Sequence, residues 1–230
     1  LAMTYNYIIP NERINTNDNK EIGFEGAYVL EPKPNFYKEP IVTLDFSSLY
    51  PSIMIAHNLC YTTLIRPNDI QNYKKEDITM SPIGCAFVKP HVREGVLPII
   101  LKDLIAARKK AKKQLKESTD DHERAILDGR QLAIKISANS VYGFTGAQVG
   151  QLPCLEISAT VTSFGRSMIE TTRDYVLNKF NKKNGYEFDS DVVYGDTDSV
   201  MIKFGVKDLG EAMKLGKEAA GLITQEFIKP

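Results

Sequence analysis

At 230 residues, with 43% apolar and 25% charged side chains, the chain is long enough for one or two globular domains and too apolar to be a disordered one. Its 29 basic and 29 acidic residues cancel, which excludes polyanion binding through bulk positive charge, so any such contact must be local or lie elsewhere. Three scattered cysteines, Cys60, Cys85 and Cys154, form neither a disulfide framework nor metal-finger spacing; they suit a reducing compartment, as buried thiols.

No apolar run reaches the length of a membrane span, since Lys102 and Asp103 interrupt the best candidate, and Leu1-Ala2-Met3 opens no signal-peptide pattern. No membrane association is expected. Residues 11 to 20 are polar and asparagine-rich, which predicts a flexible connector.

The first element with chemical content is Ile41-Val42-Thr43-Leu44-Asp45, four residues of strand character leading into a carboxylate. Pro51 then favours the first turn of a short helix, so residues 46 to 50 read as a tight strand-to-helix turn whose unpaired N–H groups suit phosphate oxygens. By itself Asp45 reads as a capping or turn residue.

Further on, Leu97, Ile100, Leu101, Leu104 and Ile105 recur at helical spacing, and Arg108 and Lys112 continue the same stripe. A guanidinium and an ammonium four residues apart can share one polyanion such as a triphosphate; Lys109, Lys110 and Lys113 fall elsewhere on the helix and read as solvated. After a polar break at Glu117 to His122, a second helical pattern runs through Ile126, Leu127, Ile134, Ala138 and Val141. Together the two predict an antiparallel helical hairpin. On its second helix Lys135, Asn139 and Tyr142 share a face, and Gly143 offers a C-terminal cap. Helices are further predicted near residues 158 to 180, from Val161, Phe164, Met168, Ile169 and Val176, and near residues 207 to 227.

The densest concentration of negative charge is Tyr194-Gly195-Asp196-Thr197-Asp198-Ser199, between Val192-Val193 and Val200-Met201-Ile202. Apolar flanks around a polar centre predict a hairpin. In an extended chain Asp196 and Asp198 would face one side, and two like charges there call for a hard divalent partner such as Mg²⁺. A solvated turn is the other reading of those six residues alone. Beside Asp45 they would complete a carboxylate cluster able to hold two metal ions for in-line phosphoryl transfer. His57 and His91 have no spaced partner and read as packed or surface residues.

Three of these segments resemble, in order, the polymerase motifs of family-B DNA polymerases. Asp45-Phe46-Ser47-Ser48-Leu49-Tyr50-Pro51-Ser52-Ile53 is similar to the first, Lys135-Ile136-Ser137-Ala138-Asn139-Ser140-Val141-Tyr142-Gly143 to the second, and Tyr194-Gly195-Asp196-Thr197-Asp198-Ser199 to the third. Connecting text from Asp128 to Ala133, Phe144 to Gly150 and Leu152 to Ile157 is most similar to the delta-type replicative branch of that family, and the likeness covers residues 24 to 227.

The resemblance implies an α/β (α+β) fold: a polymerase palm with an antiparallel, carboxylate-bearing sheet and packed helices, interrupted by a helical-hairpin fingers insertion. It implies a connector at residues 1 to 25, palm at 26 to 95, fingers at 96 to 145, and the rest of a truncated palm at 146 to 230, without the exonuclease, thumb or cysteine-rich tail of such enzymes. It further implies that Asp45 and Asp198 bridge two Mg²⁺ ions, with Mn²⁺ as a substitute, that Asp196 is the neighbouring carboxylate, and that the Phe46 carbonyl adds an oxygen. Ser48 and Leu49 would meet the dNTP triphosphate through their N–H groups, Arg108, Lys112, Lys135 and Asn139 would grip it, and Tyr50 would be the steric gate against a 2′-hydroxyl. Tyr142 and Gly143 would line the nascent base pair of the primer-template DNA. The implied function is template-directed DNA synthesis in the nucleus, with accessory replication subunits and a sliding clamp as partners. Two other readings are a noncatalytic nucleic-acid-binding module of ferredoxin-like topology, which needs no acidic cluster, and a nucleotidyl cyclase, which needs no long cationic hairpin.

Overall fold

The computed structural model describes residues 3–9, 25–147 and 152–229. In chain order its main elements are β1 (Val29–Leu30), β2 (Ile41–Asp45), α1 (Leu49–Ala56), β3 (Leu64–Ile65), β4 (Ile78–Met80), β5 (Ala86–Val88), α2 (Val96–Glu117), α3 (Asp121–Gly146), α4 (Leu155–Lys179), β6 (Asp191–Asp196), β7 (Ser199–Lys203) and α5 (Leu209–Gln225). The fold is mixed α and β with antiparallel sheets. It divides into two compact units. Tyr50–Val161 builds one, and Gly26–Leu49 with Thr162–Pro230 builds the other, so α4 contributes residues to both.

The unit formed by residues 26–49 and 162–230 is organised around a four-stranded sheet of order β1-β6-β7-β2. Pairing puts Val42 opposite Ile202 and Leu44 opposite Val200, so these four share one face and bury it. Val200 and Ile202 are almost completely enclosed, with Ile169 and Val176 of α4 and Ala212, Ala219 and Ile223 of α5 in the same core. Helix α5 shows why its sequence lies flat on the sheet. Ala212, Gly216, Ala219 and Ile223 recur every three or four residues and are its buried face, and a Cβ on Gly216 would stand 2.6 Å from Val42 Cγ1. The helix starts at Asp208, whose Oδ2 accepts a 2.8 Å hydrogen bond from the Glu211 N–H. Between Val192 and Tyr194 the β6–β7 register shifts by a bulge, which lets consecutive Val192 and Val193 both be buried.

In the unit formed by residues 50–161, β3-β5-β4 makes a small second sheet over a core of Ile65, Ala86 and Val88. Asn58 ties that region to the start of α2. Buried at a φ of +56°, which Asn tolerates, it donates through Nδ2 to the Val88 and Arg93 carbonyls at 2.7 and 2.9 Å and accepts from the Gly95 N–H at 2.9 Å. Helices α2 and α3 form the long antiparallel hairpin that the spacing predicts, with Leu101, Ala111, Leu127 and Ala138 buried. Asp120 caps α3 by accepting from the His122 and Glu123 N–H groups.

Several expectations need correction. Gly143 does not end α3, which continues to Gly146; its φ is not positive, so it makes no left-handed cap. Ile126, assigned to the packed stripe, is 57% exposed, because Leu127 takes the inward position one residue later. Pro51 lies in the first turn of α1 as expected, but as its third residue, which shortens the preceding turn to residues 46–48. His91 is a surface residue, as expected, and its Nε2 lies 2.8 Å from Asp77 Oδ1. Cys60 and Cys154 are buried thiols, but Cys85 is only half-buried. Among the described residues no helix is long and apolar enough to cross a membrane. The connector expected at residues 11 to 20 lies outside the described residues.

Candidate active site

The carboxylates are positioned by strand register. Asp45, at the end of β2, pairs with Ser199 on one side of β7, and Asp196, at the end of β6, pairs with the same Ser199 on the other. Cross-strand partners point to a common face, so Asp45 and Asp196 flank Ser199 on the face opposite the apolar core, with their Cα atoms about 10 Å apart, two strand spacings. Asp198 sits in the connecting turn beside β2, because its carbonyl accepts a 2.8 Å hydrogen bond from the Phe46 N–H. That bond also fixes the main chain whose Phe46 carbonyl is a candidate ligand. The Phe46 ring is held edge-to-face against Phe227, centroids 5.6 Å apart.

The turn itself departs from the extended geometry expected for Asp196 and Asp198. Thr197 has a φ of +54°, which a β-branched residue rarely adopts, and the Asp198 N–H donates to the Asp196 carbonyl at 2.5 Å. The Thr197 hydroxyl donates to Asp196 Oδ1 at 2.7 Å. Gly195 leaves little room for a side chain, since a Cβ there would meet Leu30 Cδ1 at 2.7 Å and the Ser199 carbonyl oxygen at 3.1 Å. A second left-handed residue, Ser48 at +52°, stands in the turn after Asp45. Two of the four non-glycine residues with positive φ among the described residues therefore lie in the two acidic turns. Asp45 and Asp196 are exposed and Asp198 half-exposed. Among the described residues no set of three or more His, Cys, Asp or Glu side chains is gathered closely enough to hold a metal. The donor chemistry nevertheless fits a hard divalent cation: carboxylates and a main-chain carbonyl, with no thiolate or imidazole among them.

On the helical hairpin, Arg108 is half-buried and its Nε donates to Gln131 Oε1 at 3.4 Å, a bond that links α2 to α3. Lys112 lies one turn from Arg108 toward the tip and Lys135 one turn from Gln131 toward the base, so the two ammonium groups stem from points about 12 Å apart along the axis. Lys135 and Asn139 are exposed, as are Lys109, Lys110 and Lys113. Tyr142 is half-buried and its ring packs on that of Tyr50, a contact that nothing in the linear spacing signals. Burial, and secondarily the Tyr50 phenol, push the Tyr142 phenol up to about 12. Leu49 is buried and is the first residue of α1. Gly143 is exposed with open space where a Cβ would be.

A family model for DNA polymerase family B matches residues 1–230. The chain belongs to DNA polymerase family B. This family-B chain is 58% identical over 232 residues to the DNA polymerase delta catalytic subunit of Schizosaccharomyces pombe, and 59% identical over 231 residues to that of Oryza sativa subsp. japonica. Each match takes in 100% of the chain and 21% of the relative, so the chain spans about a fifth of the length of these curated relatives. Among solved structures, the family B DNA polymerase from the hyperthermophilic archaeon Pyrobaculum calidifontis is similar with a TM-score of 0.67 and 31% identity, over 96% of this chain and 27% of that one.

Proposed function

We propose that this chain is the part of a delta-type replicative DNA polymerase that carries nucleotidyl transfer: template-directed addition of a dNTP to a primer 3′-hydroxyl. The observation that carries the reading is the register that sets Asp45 and Asp196 on either side of Ser199, with Asp198 bonded beside Phe46. Asp45 and Asp198, with Asp196 and the Phe46 carbonyl, would hold two Mg²⁺ ions, Mn²⁺ being a substitute. Bound there, the ions supply activation of the 3′-hydroxyl and neutralisation of the leaving pyrophosphate.

The rest of the work is positioning by this chain's own groups. The hairpin is the fingers element; Arg108, Lys112, Lys135 and Asn139 bind the triphosphate, and the N–H groups of Ser48 and Leu49 bind it from the start of α1. Tyr50 blocks a 2′-hydroxyl, and Tyr142 and Gly143 line the nascent pair. Base identity is left to the template, so the protein tests the shape of the pair. In the parent protein the setting is nuclear replication, with primer-template DNA as substrate and accessory subunits and a sliding clamp as partners. The ferredoxin-like binding module and the cyclase both leave the cationic hairpin without a use. The test is primer extension by the full-length parent with Mg²⁺ present and then withheld. Extension should follow the template and stop without the ion; untemplated or metal-independent product would refute the reading.

A further inference from the structure

Tyr50 and Tyr142 come from different helices, and their ring centroids lie 4.4 Å apart with the planes tilted by 42°. Both are half-buried. Tyr50 is the second residue of α1, between buried Leu49 and buried Pro51, so its Cα is fixed. Fixing a Cα does not by itself fix χ1, and at 4.4 Å between centroids the Tyr142 ring fills the space beside that of Tyr50.

Tyr142 is itself delivered by an anchored helix end. Thr145 Oγ1 donates to the Tyr142 carbonyl at 2.7 Å and shares a 2.9 Å hydrogen bond with Ser158 Oγ, and the Cys154 N–H donates to the Thr145 carbonyl at 2.8 Å. Thr145 and Ser158 are completely enclosed. The last turns of α3 are thus pinned to the start of α4, and the ring that leans on Tyr50 stands on that pinned segment. A tyrosine phenol is already neutral at physiological pH, and burial raises that of Tyr142 further, so the contact is ring packing rather than a charge interaction.

We propose that Tyr142 is a positioning residue for sugar discrimination, its ring bracing Tyr50 in the orientation that blocks a 2′-hydroxyl. The proposal rests on the reading of Tyr50 as the gate. An unbraced gate would swing aside when a hydroxyl pressed on it; a braced one must first give up an aromatic contact. Because Tyr142 shares α3 with Lys135 and Asn139, sugar selection is then coupled to the helix assigned to the triphosphate, not set by α1 alone.

Matched ribo- and deoxyribonucleotides are to be compared in the full-length polymerase as a ratio of kcat/KM, in Y142A, Y142F, Y50A and the double variant Y50A/Y142A. The ratio reads only folded, active enzyme and cancels any general loss of rate. Y142A should raise ribonucleotide use relative to deoxyribonucleotide use roughly two- to tenfold, the range expected for one aromatic pair. Y142F, which keeps the ring, should keep a sugar-selection ratio near that of wild type whatever its rate, and the ratio of the double variant should not exceed that of Y50A because both act through one ring. A raised ratio in Y50A with none in Y142A overturns the brace and leaves the gate standing. So does a double variant equal to the product of the singles, or a Y142F that behaves like Y142A. An unchanged ratio in Y50A rejects the gate reading itself.

Discussion

Asp45 illustrates how much of a residue's role depends on its strand partner. Alone it is an exposed carboxylate after four apolar or β-branched residues; opposite Ser199, with Asp196 on the far side and the Phe46–Asp198 bond next to it, it becomes one member of an oxygen-donor group. On the proposed reading these carboxylates would serve the reaction more than duplex affinity. Asp45→Ala or Asp198→Ala in the full-length parent is therefore expected to abolish nucleotide addition while primer-template affinity stays close to wild type. Extension assays and DNA-binding titrations on the same preparations check this, and catalysis surviving in both variants would end the two-metal assignment. Thr197 belongs to the same picture. Its +54° φ is strain that the strands on either side maintain, and no turn-residue rule would have picked a threonine for it.

At the scale of elements, the α2–α3 hairpin makes the clearest prediction. Arg108, Lys112 and Lys135 present three cations over about two turns, and each charge-assisted contact to a phosphate is worth about 1.5–3 kcal/mol, or roughly tenfold to a hundredfold. Single alanine variants are expected to raise KM for dNTP or slow single-turnover incorporation by that range, with Arg108→Ala also loosening the helix pair through its lost bond to Gln131. Three variants with wild-type single-nucleotide kinetics would remove the hairpin from the triphosphate site. The α2–α3 hairpin, α4 and α5 were legible in the sequence because long helices leave a periodic signal, and the β6–β7 pair because apolar runs flank a polar turn. The β3-β5-β4 sheet was not: its strands have only two or three residues, shorter than any run that alternation can reveal, and its pairing is non-local. Neither were the Tyr50–Tyr142 contact and the Ser199 register, which depend on how distant segments meet. Gly143 misled because glycine marks a helix end only when its φ turns positive.

For the whole molecule, several buried or half-buried groups of residues 50–161 couple stability to pH. His57 follows α1, donating its N–H to the Ile53 carbonyl; a cation is normally favoured at a helix C-terminus, yet burial wins and lowers its pKa from 6.5 to about 4. The folded state thus favours the neutral ring. As pH falls below 6.5 the unfolded chain takes up a proton that the folded chain refuses until about 4, so stability is intact above 6.5 and drains away across that interval. The loss is bounded at about 3 kcal/mol, less whatever solvent contact His57 retains. On the alkaline side burial pushes the Cys154 thiol from 9.0 up to about 12 and the Tyr142 phenol from 10.0 to about 12, and it raises Tyr61 as well. Here the folded state favours the protonated forms, so stability holds below 9 and is lost as pH rises beyond it. Denaturant midpoints of the chain measured from acid to alkaline pH are expected to show a plateau between roughly 6.5 and 9 with a slope on each side. His57→Gln should flatten the acid slope alone, and Cys154→Ala should lessen the alkaline slope, leaving the part due to Tyr61 and Tyr142. An acid slope unchanged in His57→Gln would assign that edge to the carboxylates instead of the imidazole.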